Sequence, residues 1–129
     1  MQYIDIVAML AVLQFLIFGS LVGRARGKYG IKAPAIGGSE PFERIYRVQM
    51  NTLEMLVALL PAMYVAARYW PPSYIAAIGA VYLVGRVVYW RAYVTNPQKR
   101  GLGFGLSFFP VFTLVLVALV PALLGKSAA

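Results

Sequence analysis

The chain contains no cysteine and no histidine, and it has only four acidic residues. Without cysteine it can form no disulfide, no thiolate metal site and no nucleophilic protein thiol. Without histidine it lacks the commonest acid–base group and metal ligand of proteins. We therefore expect no metal site, and any nucleophile must be a hydroxyl, a carboxylate, a lysine or a bound small molecule.

Apolar and basic side chains are what the chain has in excess. Hydrophobic residues make up 61% of its 129 residues, only 12% are charged, and the mean hydropathy is +0.74. A soluble domain of this size has too little interior to bury so much apolar surface, whereas a lipid bilayer accepts it. Twelve basic residues against four acidic ones give a net charge of +8. Because the basic residues lie between apolar runs, they indicate membrane topology, and we expect no nucleic-acid partner.

Four apolar runs divide the sequence, each long enough to cross a hydrocarbon core of about 30 Å. The predicted fold class is an all-α integral membrane protein, a bundle of four transmembrane helices that forms a single domain over residues 1–129. The first run is expected to be a retained helix, since its flanks do not resemble those of a signal peptide. The predicted helices cover residues 3–26, 41–70, 73–95 and 102–125.

Basic residues gather at one end of the predicted bundle. Loops one and three, with the helix ends beside them, hold most of the lysines and arginines, while the opposite end holds Arg68 and Lys126. The positive-inside rule then predicts that loops one and three are cytoplasmic and that both termini lie outside. The compact loops favour a bacterial inner membrane, with the endoplasmic reticulum as the alternative.

Charged residues inside a predicted membrane helix are costly and point to function. Arg47, Asn51 and Glu54 are spaced i, i+4, i+7, so they share one face of helix two. A cation, an amide and an anion over two turns suit a zwitterionic ligand that carries carboxylates and an amine. The alternative is an internal ion pair that holds helix two against a neighbour.

A second polar stripe lies on helix three, where Tyr82, Arg86, Tyr89 and Tyr93 share one face. Arg86 falls within the apolar run and needs a partner. We expect that partner to be Glu54, the carboxylate placed deepest in the bundle. The alternative for the tyrosines is an interfacial aromatic belt, the commoner position of tyrosine in membrane proteins.

Lys99 and Arg100 lie directly before helix four. On the simpler interpretation they only mark the cytoplasmic side. On the functional interpretation they hold a cation over a reactive anion at the membrane surface.

One segment is distinctive enough to suggest a family. Residues 42–54, FERIYRVQMNTLE, resemble the signature FERxxRxQxNxxE of the membrane-associated proteins in eicosanoid and glutathione metabolism, the MAPEG family. GRVVY at residues 85–89, followed by Tyr93, resembles the family pattern GRxxYxxxY. The resemblance covers the whole chain and is closest to the microsomal glutathione transferase and leukotriene C4 synthase branch, in a prokaryotic form.

This resemblance implies a homotrimer that binds glutathione between neighbouring subunits near the cytoplasmic face. Glu54 would take the γ-glutamyl amine and Arg26 a carboxylate, while Arg100 would be the catalytic residue, which approaches the sulfur and lowers its pKa. The glutathione-binding positions that the resemblance implies are Arg26, Arg47, Gln49, Asn51, Glu54, Arg86, Tyr89 and Tyr93.

The activity implied by the resemblance is that of a membrane-bound glutathione transferase, acting on lipophilic electrophiles from the membrane lipid and reducing lipid hydroperoxides as a second reaction. The leukotriene C4 synthase branch has a tyrosine where this chain has Met55 and a second arginine where it has Gly27, so leukotriene synthesis itself is not implied. A non-catalytic lipid-binding or scaffold member of the same family is the alternative, but such a protein need not keep Arg100 and the glutathione positions. A small multidrug transporter would need a central carboxylate in helix one, where this chain has only Asp5, at the helix edge.

Overall fold

The computed structural model describes residues 1–127 as a bundle of four long helices. A short 3-10 turn, Pro97–Lys99, precedes the last of them. All four helices are long and apolar enough to cross a membrane, which confirms the all-helical architecture predicted from the sequence. In chain order they are α1 (Gln2–Tyr29), α2 (Glu40–Ala66), α3 (Pro72–Thr95) and α4 (Gly101–Leu123).

The helix ends differ from the predicted bounds by a few residues, for local reasons. α1 continues past residue 26 to Tyr29, where Gly30 takes a left-handed conformation with φ 69° and its N–H donates to the Arg26 carbonyl. Glycine adopts this helix-ending conformation without the steric penalty of a side chain. α2 ends at Ala66 rather than near residue 70, because a hydrogen-bonded turn at residues 67–69 precedes the next helix.

All four helices contribute to the main buried core, which consists mainly of small and branched side chains together with Met55, Met63 and Tyr82. Many large apolar side chains nevertheless stay exposed, among them Leu13 of α1, Val57 of α2 and Phe109 of α4, whose surfaces are 51%, 70% and 65% accessible. In water this surface would be costly to expose, but lipid tails or further subunits cover such side chains in a membrane. The bundle therefore has a small buried interior and an apolar exterior.

Glycine lets α3 and α4 approach each other closely. A Cβ atom at Gly85 of α3 would lie 2.5 Å from the carbonyl carbon of Leu106, and one at Gly103 of α4 would lie under 3 Å from the backbone of Tyr89. Small residues allow helix backbones in membranes to touch in this way. The contact brings Ser107 of α4 within hydrogen-bonding distance of α3.

We expect Gly85→Ala to lower the free energy of unfolding by about 1–3 kcal/mol, the usual cost of overpacking a well-packed interior. The added methyl group would meet the backbone of α4, which cannot rotate away as a side chain can. Gly101→Ala is the matched control, because a Cβ atom there meets nothing within 4 Å. Unfolding of both variants in detergent, followed by circular dichroism, tests this. Equal stabilities would show that α3 and α4 can move apart to fit the methyl group without loss of stability.

Candidate functional site

A polar groove of about 510 Å³ lies at the basic end of the bundle, between the start of α2 and the end of α3. Its volume is within the range of about 300–1,000 Å³ that is typical of small-molecule sites. Cations, carboxylates and phenol groups line it together. The lining residues are Ile36, Glu40, Glu43, Arg44, Tyr46, Arg47, Tyr93 and Pro97.

Arg47 and Glu54 form an ion pair along the outer face of α2. The Arg47 Nη2 and Glu54 Oε1 atoms are 3.5 Å apart, and the two side chains are 52% and 60% exposed. Seven residues are nearly two helical turns, so both charges point to the same side. The separation is longer than that of a strong charge-assisted hydrogen bond. Each group can therefore exchange its partner for a ligand of opposite charge.

Arg86 of α3 is fully buried and makes the central polar contacts of the bundle. Its Nη1 donates to Asn51 Oδ1 at 2.7 Å and to Thr52 Oγ1 at 3.2 Å, both on α2. Its Nε donates to Ser107 Oγ of α4 at 2.9 Å. One guanidinium thus joins three helices through neutral oxygen acceptors.

The predicted pairing of Arg86 with Glu54 is wrong. Glu54 pairs with Arg47 at the surface, whereas the acceptors of Arg86 are an amide and two hydroxyls. Neutral acceptors engage the Nε and Nη1 atoms of the buried cation without burying a carboxylate as well, which would carry a large desolvation cost. Its Nη2 atom is buried and has no hydrogen-bond partner among residues 1–127. Sequence spacing placed Asn51 and Glu54 on one face but did not reveal that Asn51 lies at its inner edge.

Thr52 and Ser107 were missed by the sequence analysis. The Thr52 hydroxyl donates to the Val48 carbonyl and the Ser107 hydroxyl to the Gly103 carbonyl, each at 2.7 Å. Because each hydroxyl donates its single proton to a carbonyl of its own helix, its lone pairs remain available to accept from Arg86. The available signal for Ser107 was a hydroxyl group within an otherwise apolar run, whereas Thr52 lies in the polar first half of α2, where a hydroxyl does not stand out.

A row of aromatic and cationic side chains leads from Arg86 to the basic surface. The guanidinium carbon of Arg86 lies 4.3 Å from the centroid of the Tyr89 ring, and the Tyr89 and Tyr93 centroids are 5.4 Å apart. The guanidinium carbon of Arg100 lies 6.0 Å from the Tyr93 centroid, and its Nη1 donates to the Pro97 carbonyl at 2.8 Å. Tyr89 is buried and faces inward, so it does not belong to an interfacial belt.

Arg26 and Gln49 lie away from the groove and from the hydrogen bonds of Arg86. Arg26 Nη1 donates to the Ala35 carbonyl at 2.7 Å, and its guanidinium carbon is 5.0 Å from the centroid of Phe42. The Gln49 side chain packs against Gly19 of α1, where a Cβ atom would lie 2.8 Å from its Nε2. Within residues 1–127 no hydrogen bond or ion pair joins either residue to the other predicted site residues.

Four membrane-length helices with a polar groove at one end define the class of an integral, multi-pass membrane protein. The MAPEG family model matches residues 4–120, and the chain belongs to this family, as its sequence motifs predicted.

Its relatives include proteins with and without a known activity. It is 42% identical over 118 residues to an uncharacterized protein of Synechocystis, covering 92% of this chain and 86% of that one. It is 35% identical over 111 residues to microsomal glutathione S-transferase 2 of Homo sapiens, with coverage of 86% and 76%. It is 32% identical over 112 residues to leukotriene C4 synthase of Bos taurus, with coverage of 87% and 75%.

We expect Arg86→Leu to lower the free energy of unfolding by about 3 kcal/mol or more, because two buried hydroxyls and the Asn51 amide lose their donor. Arg86→Lys should recover only part of this loss, since one ammonium group cannot reproduce the forked geometry of a guanidinium. Arg68→Leu removes an exposed arginine near the opposite end and serves as the control. Unfolding titrations in detergent measure all three variants, and similar losses for Arg86→Leu and Arg68→Leu would contradict a central role for Arg86.

Proposed function

We propose that the chain is a membrane-bound glutathione transferase that activates glutathione as a thiolate for attack on lipophilic electrophiles. The observation that carries the proposal is the exposed Arg47–Glu54 pair beside Tyr93 and Arg100, at one end of an apolar bundle. Glutathione brings two carboxylates, one ammonium group and one thiol. Arg47 and Tyr93 line the groove, and Glu54 and Arg100 adjoin it through their contacts with these two residues. The names of two relatives, a glutathione S-transferase and a leukotriene C4 synthase, support the same activity.

The ion pair on α2 suits a zwitterionic ligand because each of its charges can be replaced by a charge of the ligand. In this proposal Glu54 takes the γ-glutamyl ammonium and Arg47 takes one of the two carboxylates, so both members of the ion pair keep a partner of opposite charge. Asn51 accepts from Arg86 through its oxygen, which leaves its NH₂ group to donate to the peptide. Arg86 in this way orients a ligand-binding side chain and contributes through Asn51.

Arg100 is suited to stabilise a thiolate. It lies at the N-terminal cap of α4, where the free N–H groups of the first turn add positive potential to its own charge. A thiol such as that of cysteine has a pKa near ~8.5 and is mostly neutral at physiological pH. A guanidinium nearby favours the anion, which is the reactive nucleophile. One of its nitrogen atoms donates to the Pro97 carbonyl, so the remaining N–H groups can face the sulfur.

The chemistry that glutathione supplies is that of its sulfur. The thiolate forms a carbon–sulfur bond as a leaving group departs, or it attacks a lipid hydroperoxide, with a second glutathione completing the disulfide as the alcohol and water form. The residues of this chain bind the peptide, hold the positive charge near the sulfur and present an apolar surface to the second substrate.

A strip of phenylalanine rings on α4 provides that apolar surface. Phe104, Phe108 and Phe112 repeat every four residues, with successive ring centroids 5.6 and 5.9 Å apart and nearly parallel planes. Phe104 in turn lies 6.5 Å from Tyr89. The strip was not anticipated from the sequence. It runs from the membrane interior toward the basic end, so an electrophile dissolved in lipid could reach the sulfur without crossing water.

A homotrimer is part of the proposal. The Glu54 side chain is 60% exposed. It lies about 18 Å from the C-terminal end of α2, within the membrane span, where contact of its carboxylate with lipid would be costly. Gln49 lies about 200° around α2 from Arg47 and packs toward α1, so one glutathione molecule cannot contact both within a single subunit. A neighbouring subunit that supplies Arg26 and Gln49 would complete the site and cover Glu54. We further propose that loops one and three face the cytoplasm of a bacterial inner membrane.

Conjugation of glutathione to a chloronitrobenzene by the purified protein tests the proposed function. Product formation above the uncatalysed rate is expected. If no turnover occurs, the non-catalytic scaffold becomes the better assignment, whether or not glutathione binds.

We expect Arg100→Ala to raise the pKa of bound glutathione and to reduce turnover, while glutathione still binds. One charge–thiolate contact is worth roughly tenfold or more in thiolate fraction, since each pKa unit equals a factor of ten. The ultraviolet absorbance of the thiolate, titrated against pH, measures this directly. Lys99→Ala removes a neighbouring charge and is the control. A thiolate titration unchanged in Arg100→Ala would remove Arg100 from catalysis.

We expect Glu54→Gln to weaken glutathione binding roughly tenfold, because the amide keeps the shape of the side chain but cannot pair with an ammonium group. Asp5→Asn removes a carboxylate from the first turn of α1 and should leave binding unchanged. Calorimetry in detergent provides the dissociation constants. Equal affinity in the wild-type protein and in Glu54→Gln would exclude Glu54 from the site.

A further inference from the structure

The outer surface between α1 and α3 carries a groove that plays no part in the proposed glutathione chemistry. Its apolar section has a volume of about 440 Å³, and Leu13 and Ile17 of α1 face Val84 and Val87 of α3 across it. The Gln14 Nε2 donates to the Leu83 carbonyl at 3.0 Å and ties the two helices together. The groove therefore belongs to a fixed helix pair.

The length of the apolar section matches one leaflet of a bilayer. It extends along α1 from Leu10 to Leu21, which is about 16 Å at 1.5 Å per residue. Half of a hydrocarbon core of about 30 Å is close to this length. A single acyl chain in one leaflet would thus span the groove from end to end.

At the end nearer the first loop, beyond Leu21, the apolar section opens into a basic pocket. This second cavity, of about 240 Å³, is lined by Arg24 and Lys28, and Leu21 and Trp90 line both cavities. Tryptophan is enriched at the level where hydrocarbon gives way to headgroups. The change from apolar to cationic lining therefore occurs at the depth where a phospholipid changes from acyl chain to phosphate.

Among residues 1–127, no acidic side chain lines this pocket. Arg24 and Lys28 are four residues apart on one face of α1, and neither belongs to the two ion pairs found within residues 1–127. Arg91 adds a third cation nearby, with its guanidinium carbon 5.6 Å from the Trp90 ring. Arg26 points to a different side of α1, toward Phe42, and is not part of this pocket.

We propose that the groove between α1 and α3 binds an anionic phospholipid, with an acyl chain between the two helices and the phosphate between Arg24 and Lys28. Charge complementarity favours a lipid over a second copy of the chain. A second copy carries a net charge of +8 with only four acidic residues, so it would bring mainly like charge to this pocket. Anionic headgroups, in contrast, attract basic residues placed at the membrane surface.

Native mass spectrometry of the protein from nanodiscs with equal amounts of phosphatidylglycerol and phosphatidylcholine tests the proposal. The wild-type protein should retain phosphatidylglycerol in preference. Arg24→Gln/Lys28→Gln should reduce that preference roughly tenfold or more, since two basic residues act on the same headgroup. Lys32→Gln/Lys99→Gln removes the same charge from the same end but lines neither cavity, and it should keep the preference.

A groove-filling variant, Val87→Trp, separates the acyl-chain contact from the headgroup contact. It should reduce retention of both lipids without changing the oligomeric state. The proposal is overturned if the Arg24/Lys28 variant keeps its preference, or if the control variant loses it equally, which would indicate a diffuse electrostatic effect. It is also overturned if Val87→Trp dissociates subunits while lipid retention is unchanged, because the groove would then be a subunit interface. The proposed glutathione site uses none of these residues, so this proposal and the proposed function stand or fall separately.

Discussion

The need to satisfy one buried guanidinium determines how the helices are arranged. Arg86 has no exposed surface, and a cation within a membrane bundle that lacked hydrogen-bond acceptors would be costly. Its acceptors come from α2 and α4, so α2 must turn Asn51 and Thr52 inward and α4 must approach α3 closely enough for Ser107 to reach. The close glycine contact between α3 and α4 follows from the same requirement.

This arrangement divides the polar residues of α2 into two sets. With Asn51 held inward by Arg86, Arg47 and Glu54 remain at the outer face and pair weakly with each other. The inner set stabilises the bundle, and the outer set is available to a ligand. Asn51 belongs to both, because its oxygen is used internally and its amide nitrogen is not. A ligand on the outer face would therefore be positioned by the same network that holds the helices together.

Hydropathy and charge were enough to predict the four helices and the basic end, because both properties are local. Of the binding residues that the family motif implies, Arg47 of α2 and Tyr93 of α3 line the groove. The partners of Arg86 could not be predicted, since they lie 21 to 35 residues away and depend on how far each helix is rotated. The spacing of residues shows which of them share a face of a helix, but it does not show which neighbour that face is turned toward. For this reason Glu54 was wrongly paired with Arg86. Arg26 and Gln49 do not meet the other predicted site residues within a single chain.

Position around a helix, more than position along it, decides what each basic residue does at this end of the bundle. Arg24 and Lys28 face the groove between α1 and α3, whereas Arg26, between them in sequence, turns toward the first loop and Phe42. A count of positive charge treats these residues as equivalent markers of topology. Their surroundings differ, however: one set adjoins an apolar groove of leaflet length, and the other adjoins the start of α2. Residues two positions apart in a helix are rotated about 200° from each other around its axis. One short basic segment can therefore serve two separate surfaces.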